Sequence, residues 1–193
     1  MRAFSFSENL IVYDKIIAAY SEKHRAYHTL DHIDACLRHL DAIVDETRRP
    51  NEIELALWFH DIIYKPFSGT NEEDSAEWAR KFLVENEAKD GCINRVYSLI
   101  ILTKDHLTPE TEDAKIMLDI DLSILGASTK IYQQFETNVR KEYKRVPSFI
   151  FRKKRKEILQ NFFERPSIYS TSYFHDRLER QAKHNLAMAI EAL

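Results

Sequence analysis

A chain of 193 residues with a formal charge of -3 is long enough to bury one ordinary core, and it offers no global pull toward nucleic acid or an anionic membrane. Hydrophobic residues make up 44% and charged residues 31%, which excludes a disordered chain, and 3 Gly with 5 Pro leave little turn chemistry for a many-stranded sheet. Two cysteines, Cys36 and Cys92, form no CxxC pair and read as reduced thiols of a cytoplasmic protein rather than a disulfide framework.

The start, "MRAFSFSENLIVYDK", meets charge before an apolar run of signal-peptide length, so no secretory segment is expected. Leu10, Tyr13, Ile17 and Tyr20 then fit the stripe of a first helix. Thr29 is placed to cap a second, "LDHIDACLRHLDAIVDE", with Asp31 in its first turn. Pro50-Asn51 breaks that helix, and "EIELALWFHDIIY" starts a third. "NEEDSAEWARKFLVENEA" reads as a surface helix with acidic residues near its start. "INRVYSLIILTKDH" follows as a buried helix with Val96, Leu99, Ile100 and Thr103 on one stripe; its run "VYSLIIL" is far too short to span a membrane.

"EDAKIMLDIDLSIL" fits two patterns. Ile116, Leu118, Ile120, Leu122 and Ile124 alternate like a strand, while Met117, Leu118, Ile124 and Leu125 fit a helical stripe. Helix is preferred because no partner strand is evident elsewhere. "KIYQQFETNVRKEYKRV" and "FIFRKKRKEILQNFF", split at Pro147, add two helices, and "FHDRLERQAKHNLAMAIEAL" closes the chain with another. The expectation is one all-α domain, residues 1–193, of about nine helices.

The doublet His60-Asp61 stands inside one of the most apolar runs of the chain. On a helix, Ile53, Ala56, Leu57, His60 and Tyr64 share one stripe and Asp61 stacks over Leu57, so both polar groups point coreward. Such burial needs a hydrogen-bond partner or a metal. A second doublet, His175-Asp176, sits among charges and reads as a solvated helix start. His28 and His32 in "YHTLDH" are one helical turn apart, so both can face one point. Asp121 falls on the apolar stripe of its helix, with Asp119 on the other side near Lys115; a carboxylate replacing a core residue is costly unless paired or bound to metal. His32, His60, Asp61 and Asp121 give a mixed nitrogen and oxygen donor set suited to Mn, Fe, Co, Ni or Zn, and less strictly to Mg. His28, beside His32 but not needed as a ligand, can donate a proton to a leaving alkoxide.

The ordered set His32, His60-Asp61, Asp121 resembles the HD-domain superfamily of metal-dependent phosphohydrolases. "YHTLDHI", "LALWFHDIIY", "NEEDSA", "LDIDLSILG" and "VRKEY" are similar to the bacterial subgroup of predicted metal-dependent HD phosphohydrolases, over nearly the whole chain. The resemblance implies an all-helical fold and metal ligands at those four positions. "YHTLDH" is also similar to the YHxxxH of cyclic-nucleotide phosphodiesterases, which maps the proton-donor role onto His28. Many two-metal members have extra histidines between the doublet and the last Asp; here only His106 lies there, on the stripe of Val96, Leu99 and Thr103, which argues for a single tight metal.

A phosphate substrate needs cations and donors, for which Lys65, Lys104, His106 and Arg140 are candidates. Asn71, Ser75 and Tyr143 match the subgroup pattern as substrate contacts, and Glu72 is placed to orient a metal-bound water. Asn71 has a second reading as a helix cap, and His106 one as a helix C-terminal residue. The basic run "FRKKRK", 151–156, spreads around a helix and reads as a solvated face rather than a nucleic-acid site. The expected activity is hydrolysis of a phosphate ester or anhydride, with a nucleotide or related small molecule as substrate and no membrane partner; exposed aromatics would mark the face of a homo-oligomer. The alternative is a non-catalytic helical domain that binds a nucleotide for regulation.

Overall fold

Helical periodicity governs the whole chain, and the computed structural model, which describes residues 10–106 and 109–193, has no strand among them. Nine α-helices are described: α1 (Leu10–Tyr20), α2 (Leu30–Ile43), α3 (Pro50–Phe59), α4 (Asn71–Glu85), α5 (Asp90–Leu102), α6 (Glu112–Asp121), α7 (Thr129–Glu142), α8 (Ser148–Phe163) and α9 (Ser172–Ala192). Short 3-10 turns cover Val44–Glu46 and Leu122–Gly126. The all-α expectation holds, as does the count of helices. No helix among the described residues is long and apolar enough to cross a membrane.

The chain divides into two compact units, one ending at Leu118 and the other Asp119–Leu193, so the division falls inside α6. In the first unit α5 packs on α3 and α4, and α2 packs on α3. Its core is built from Ile33, Ile53, Ala56, Leu57, Ala76, Leu83, Val96 and Ile100, all fully buried. Pro50 takes the first position of α3, where its missing N–H costs nothing. Glu52 on α3 is buried and takes two parallel hydrogen bonds from the Arg95 guanidinium of α5, each 2.7 Å, which staples the two helices.

In the second unit the Leu122–Gly126 turn packs on α9 and α7, and α8 lies against α9. Asn185 on α9 donates to the carbonyls of Leu125 and Ala127, both at 2.8 Å, and Tyr169 donates to that of Leu122. Gly126 is held by close packing: a Cβ there would stand 2.5 Å from Leu178 Cβ and 2.9 Å from Tyr169 Oη.

Two boundaries and one burial assignment differ from the sequence expectation. The helix carrying the doublet ends at Phe59, with His60 as its C-cap and Asp61 in the following turn. The helix before His106 ends at Leu102, and His106 has φ 47°, so it does not extend the Val96, Leu99, Thr103 stripe. The two aspartates of α6 exchange burial: Asp119 is 1% exposed and Asp121 is half-buried. Periodicity misassigned them because Ala114, Ile116, Met117, Leu118, Asp119 and Ile120 are all buried, leaving no wet face to set the phase. Asp119 is satisfied inside its own unit, accepting from the Ser170 and Thr171 N–H groups, both 2.8 Å, and from the Thr171 hydroxyl at 2.7 Å. Burial pushes its carboxyl above the ordinary value, against the pull of those three donors.

Candidate metal centre

α2 and the end of α3 bring three of the four expected ligands together within the first unit. His32 sits in the first turn of α2, 6% exposed, and His60 caps α3, 1% exposed. Their Nε2 atoms are 3.2 Å apart. Asp61 Oδ2 lies 3.1 Å from His60 Nε2 and 3.6 Å from His32 Nε2. Donor atoms sharing one ion at bonds of about 2.0–2.2 Å stand about 2.8–3.6 Å apart, so these three separations fit a single centre. Both imidazoles belong to a group able to hold a metal ion.

The local chain explains why the rings point this way. An α-helix leaves its last carbonyls without intrahelical donors, and the His60 ring turns back to supply one. Its Nδ1 donates to the Leu57 carbonyl at 2.8 Å, while its backbone N–H closes on Ala56. A carbonyl only accepts, so Nδ1 carries a proton and Nε2 is the atom turned toward His32 and Asp61. His60 Nε2 therefore faces a carboxylate oxygen and another imidazole nitrogen. A shared proton or a cation must lie among these atoms, because bare lone pairs would repel at those distances. Burial pushes the Asp61 carboxyl up, but the imidazoles of His60, His28 and His32 outweigh it and hold the carboxyl well below the usual range.

Around this cluster stand residues that sequence reasoning missed. The Tyr27 hydroxyl is 3.1 Å from His32 Nδ1, so it orients that ring as the Leu57 carbonyl orients His60. Cys36, one turn along α2, packs its sulfur 3.7 Å from the same Nδ1. Arg25 is 7% exposed and donates to the carbonyls of His28 at 3.1 Å, Asp61 at 2.7 Å and Ile62 at 2.9 Å, tying the segment before α2 to the turn after α3. Its guanidinium lies over the rings of Tyr20 and Tyr64. The signal for Tyr27 was its adjacency to His28 in "AYHTLDH"; Arg25, in "EKHRAYH", looks like a surface cation and gave none.

His28 lies in the bend before α2 rather than on it. Thr29 caps α2 by position, without a side-chain hydrogen bond. The His28 ring stacks on Tyr64 with centroids 4.0 Å apart and stands edge-on to His32 at 6.2 Å, so it borders the cluster without duplicating a ligand. Asn71 exchanges two 3.0 Å hydrogen bonds with the backbone of Lys65, and Ser75 accepts from Ile63 N–H at 3.1 Å. These two clamp the segment after the doublet onto α4. Lys65 is itself exposed. Glu72 is half-buried in the first turn of α4. Lys104 pairs with Glu73 and donates to the Gly69 carbonyl at 3.0 Å.

No family model, curated protein or solved structure matches this chain.

In the second unit, Asp121 ends α6. Arg140 donates to the carbonyls of Tyr143 at 2.6 Å and Val146 at 3.0 Å and stacks over Phe151, which fixes the turn between α7 and α8. Tyr143 is the C-cap of α7. The contrasting doublet His175-Asp176 is exposed at the start of α9, its side chains 50% and 74% accessible, as expected of a solvated pair.

Proposed function

We propose that this chain is a metal-dependent phosphohydrolase of the HD-domain type, acting on a phosphate ester or anhydride, with a nucleotide or related small molecule as substrate. The observation that carries the reading is the convergence of His32 Nε2, His60 Nε2 and Asp61 Oδ2 at 3.1–3.6 Å, with His60 Nδ1 already committed to a carbonyl. A merely structural His-Asp pair needs one such contact, whereas three converging donors suit a cation. His32, His60 and Asp61 would hold a divalent ion, and Asp121, expected from the sequence, would be the fourth ligand. When bound, such an ion supplies a Lewis acid for a phosphoryl oxygen and lowers the pKa of a water.

The chain's own groups do the rest. Tyr27 and the Leu57 carbonyl hold the two imidazoles in register. His28, steadied by its stack on Tyr64, protonates the leaving oxygen. Glu72 orients the attacking water, and Lys65, Lys104, His106, Arg140 and Tyr143 are the proposed contacts to the substrate.

A phosphate-release screen over nucleotides and general phosphatase substrates, with each of Mn, Fe, Co, Ni, Zn and Mg, tests the reading. Release that depends on metal and vanishes in His60→Ala and Asp121→Ala is the expected result. Absence of release from every substrate, or equal release by both variants, would refute it. Metal-dependent nucleotide binding without release would instead support a regulatory role.

A further inference from the structure

A cavity of about 230 Å³ lies between α1, α3 and α4, and none of the proposed metal ligands lines it. Its floor is apolar: Leu55, Phe59 and Phe82 are each less than 5% exposed, and the two phenyl rings meet at 5.4 Å. Its rim is aromatic and polar. Tyr13 of α1 is 47% exposed, and Trp58 stands one helical turn beyond Glu54 on α3, so the indole and the carboxylate share a face.

The two carboxylates of α3 behave differently. Glu52 is matched by Arg95 at 2.7 Å and Arg49 at 3.6 Å. Glu54, two residues on and turned to the cavity, has no cation against it among the described residues. A carboxylate that lines an apolar cavity together with a tyrosine and a tryptophan is complementary to a positive charge carried on an apolar body. Aromatic rings attract a cation, Glu54 neutralises it, and the floor takes the hydrocarbon.

We propose that this cavity is a binding site for a small organic cation, a primary ammonium joined by a short chain to one ring. The size agrees: a cavity of about 150 Å³ lined by aliphatic and aromatic groups accommodates benzene, so this one takes a ring with two or three further atoms. Neutral or anionic ligands of the same shape would leave Glu54 unmatched or repelled.

The test uses 2-phenylethylammonium, with 2-phenylethanol as its neutral counterpart, followed by the NMR signals of the tryptophan indoles in the full chain. The expected result is saturable movement of the Trp58 indole by the cation, with affinity about tenfold above that for the alcohol. Glu54→Gln should erase that difference, and Glu54→Asp should restore part of it. Both variants should keep native spectra and wild-type metal affinity, because the metal cluster does not involve this carboxylate. No movement at millimolar cation would overturn the proposal. Equal affinity for cation and alcohol, or unchanged discrimination in Glu54→Gln, would also overturn it.

Discussion

Tyr27→Phe removes one oxygen atom and tests how the metal centre is held. The hydroxyl lies 3.1 Å from His32 Nδ1, while the ring packs 4.9 Å from both His28 and His32, and phenylalanine keeps that packing. A single hydrogen bond of this kind is worth about 0.5–1.5 kcal/mol, so the metal-free fold should lose no more than about 1.5 kcal/mol. The metal should be affected more. A ligand histidine whose second nitrogen loses its partner is freer to rotate and less basic, and such losses cost about 10- to 100-fold in affinity. That corresponds to about 1.4–2.8 kcal/mol. Calorimetric metal titration with chelator competition measures it, with His60→Ala as the variant that loses a ligand outright. If Tyr27→Phe binds metal as tightly as the wild type while His60→Ala does not, the hydroxyl does not orient His32 and the reasoning fails.

Asp119→Ala should orphan the Ser170 and Thr171 N–H groups and the Thr171 hydroxyl, costing about 2–5 kcal/mol in urea unfolding; a cost below about 1 kcal/mol would show these groups to be solvated. Gly126→Ala should destabilise by about 1–3 kcal/mol, since its Cβ meets Leu178 Cβ at 2.5 Å; an unchanged melting temperature would mean the turn yields freely.

The elements of this fold were legible wherever a helix has one wet face. α5 announces itself by the stripe of Val96, Leu99 and Ile100, all buried, and Pro50 and Pro147 mark starts that the structure keeps. Legibility failed where burial is uniform. In α6 neither the helical stripe nor the alternation carried phase, so Asp119 and Asp121 were distinguished the wrong way round in burial. It failed again at the end of α3, because a capping histidine and a helical histidine look alike in sequence. Of the site, His32, His60 and Asp61 were named in the sequence as members of one donor set, and the structure brings the three within 3.1–3.6 Å of one another. The residues that orient them were not, since a tyrosine hydroxyl, a backbone carbonyl and a buried arginine have no spacing rule. Asn71 and Ser75 were marked as substrate contacts; their side chains clamp backbone, a task that sequence similarity does not separate from ligand binding.

Arg25 has a consequence beyond holding three carbonyls. A guanidinium keeps its charge at every pH a protein survives, so the cation that holds these carbonyls is permanent. Its nearest carboxylate, Glu22 at 3.0 Å, is well exposed to solvent and screens only part of that charge. Acidification therefore leaves this clamp charged and intact, and the tie between the segment before α2 and the turn after α3 does not loosen as pH falls.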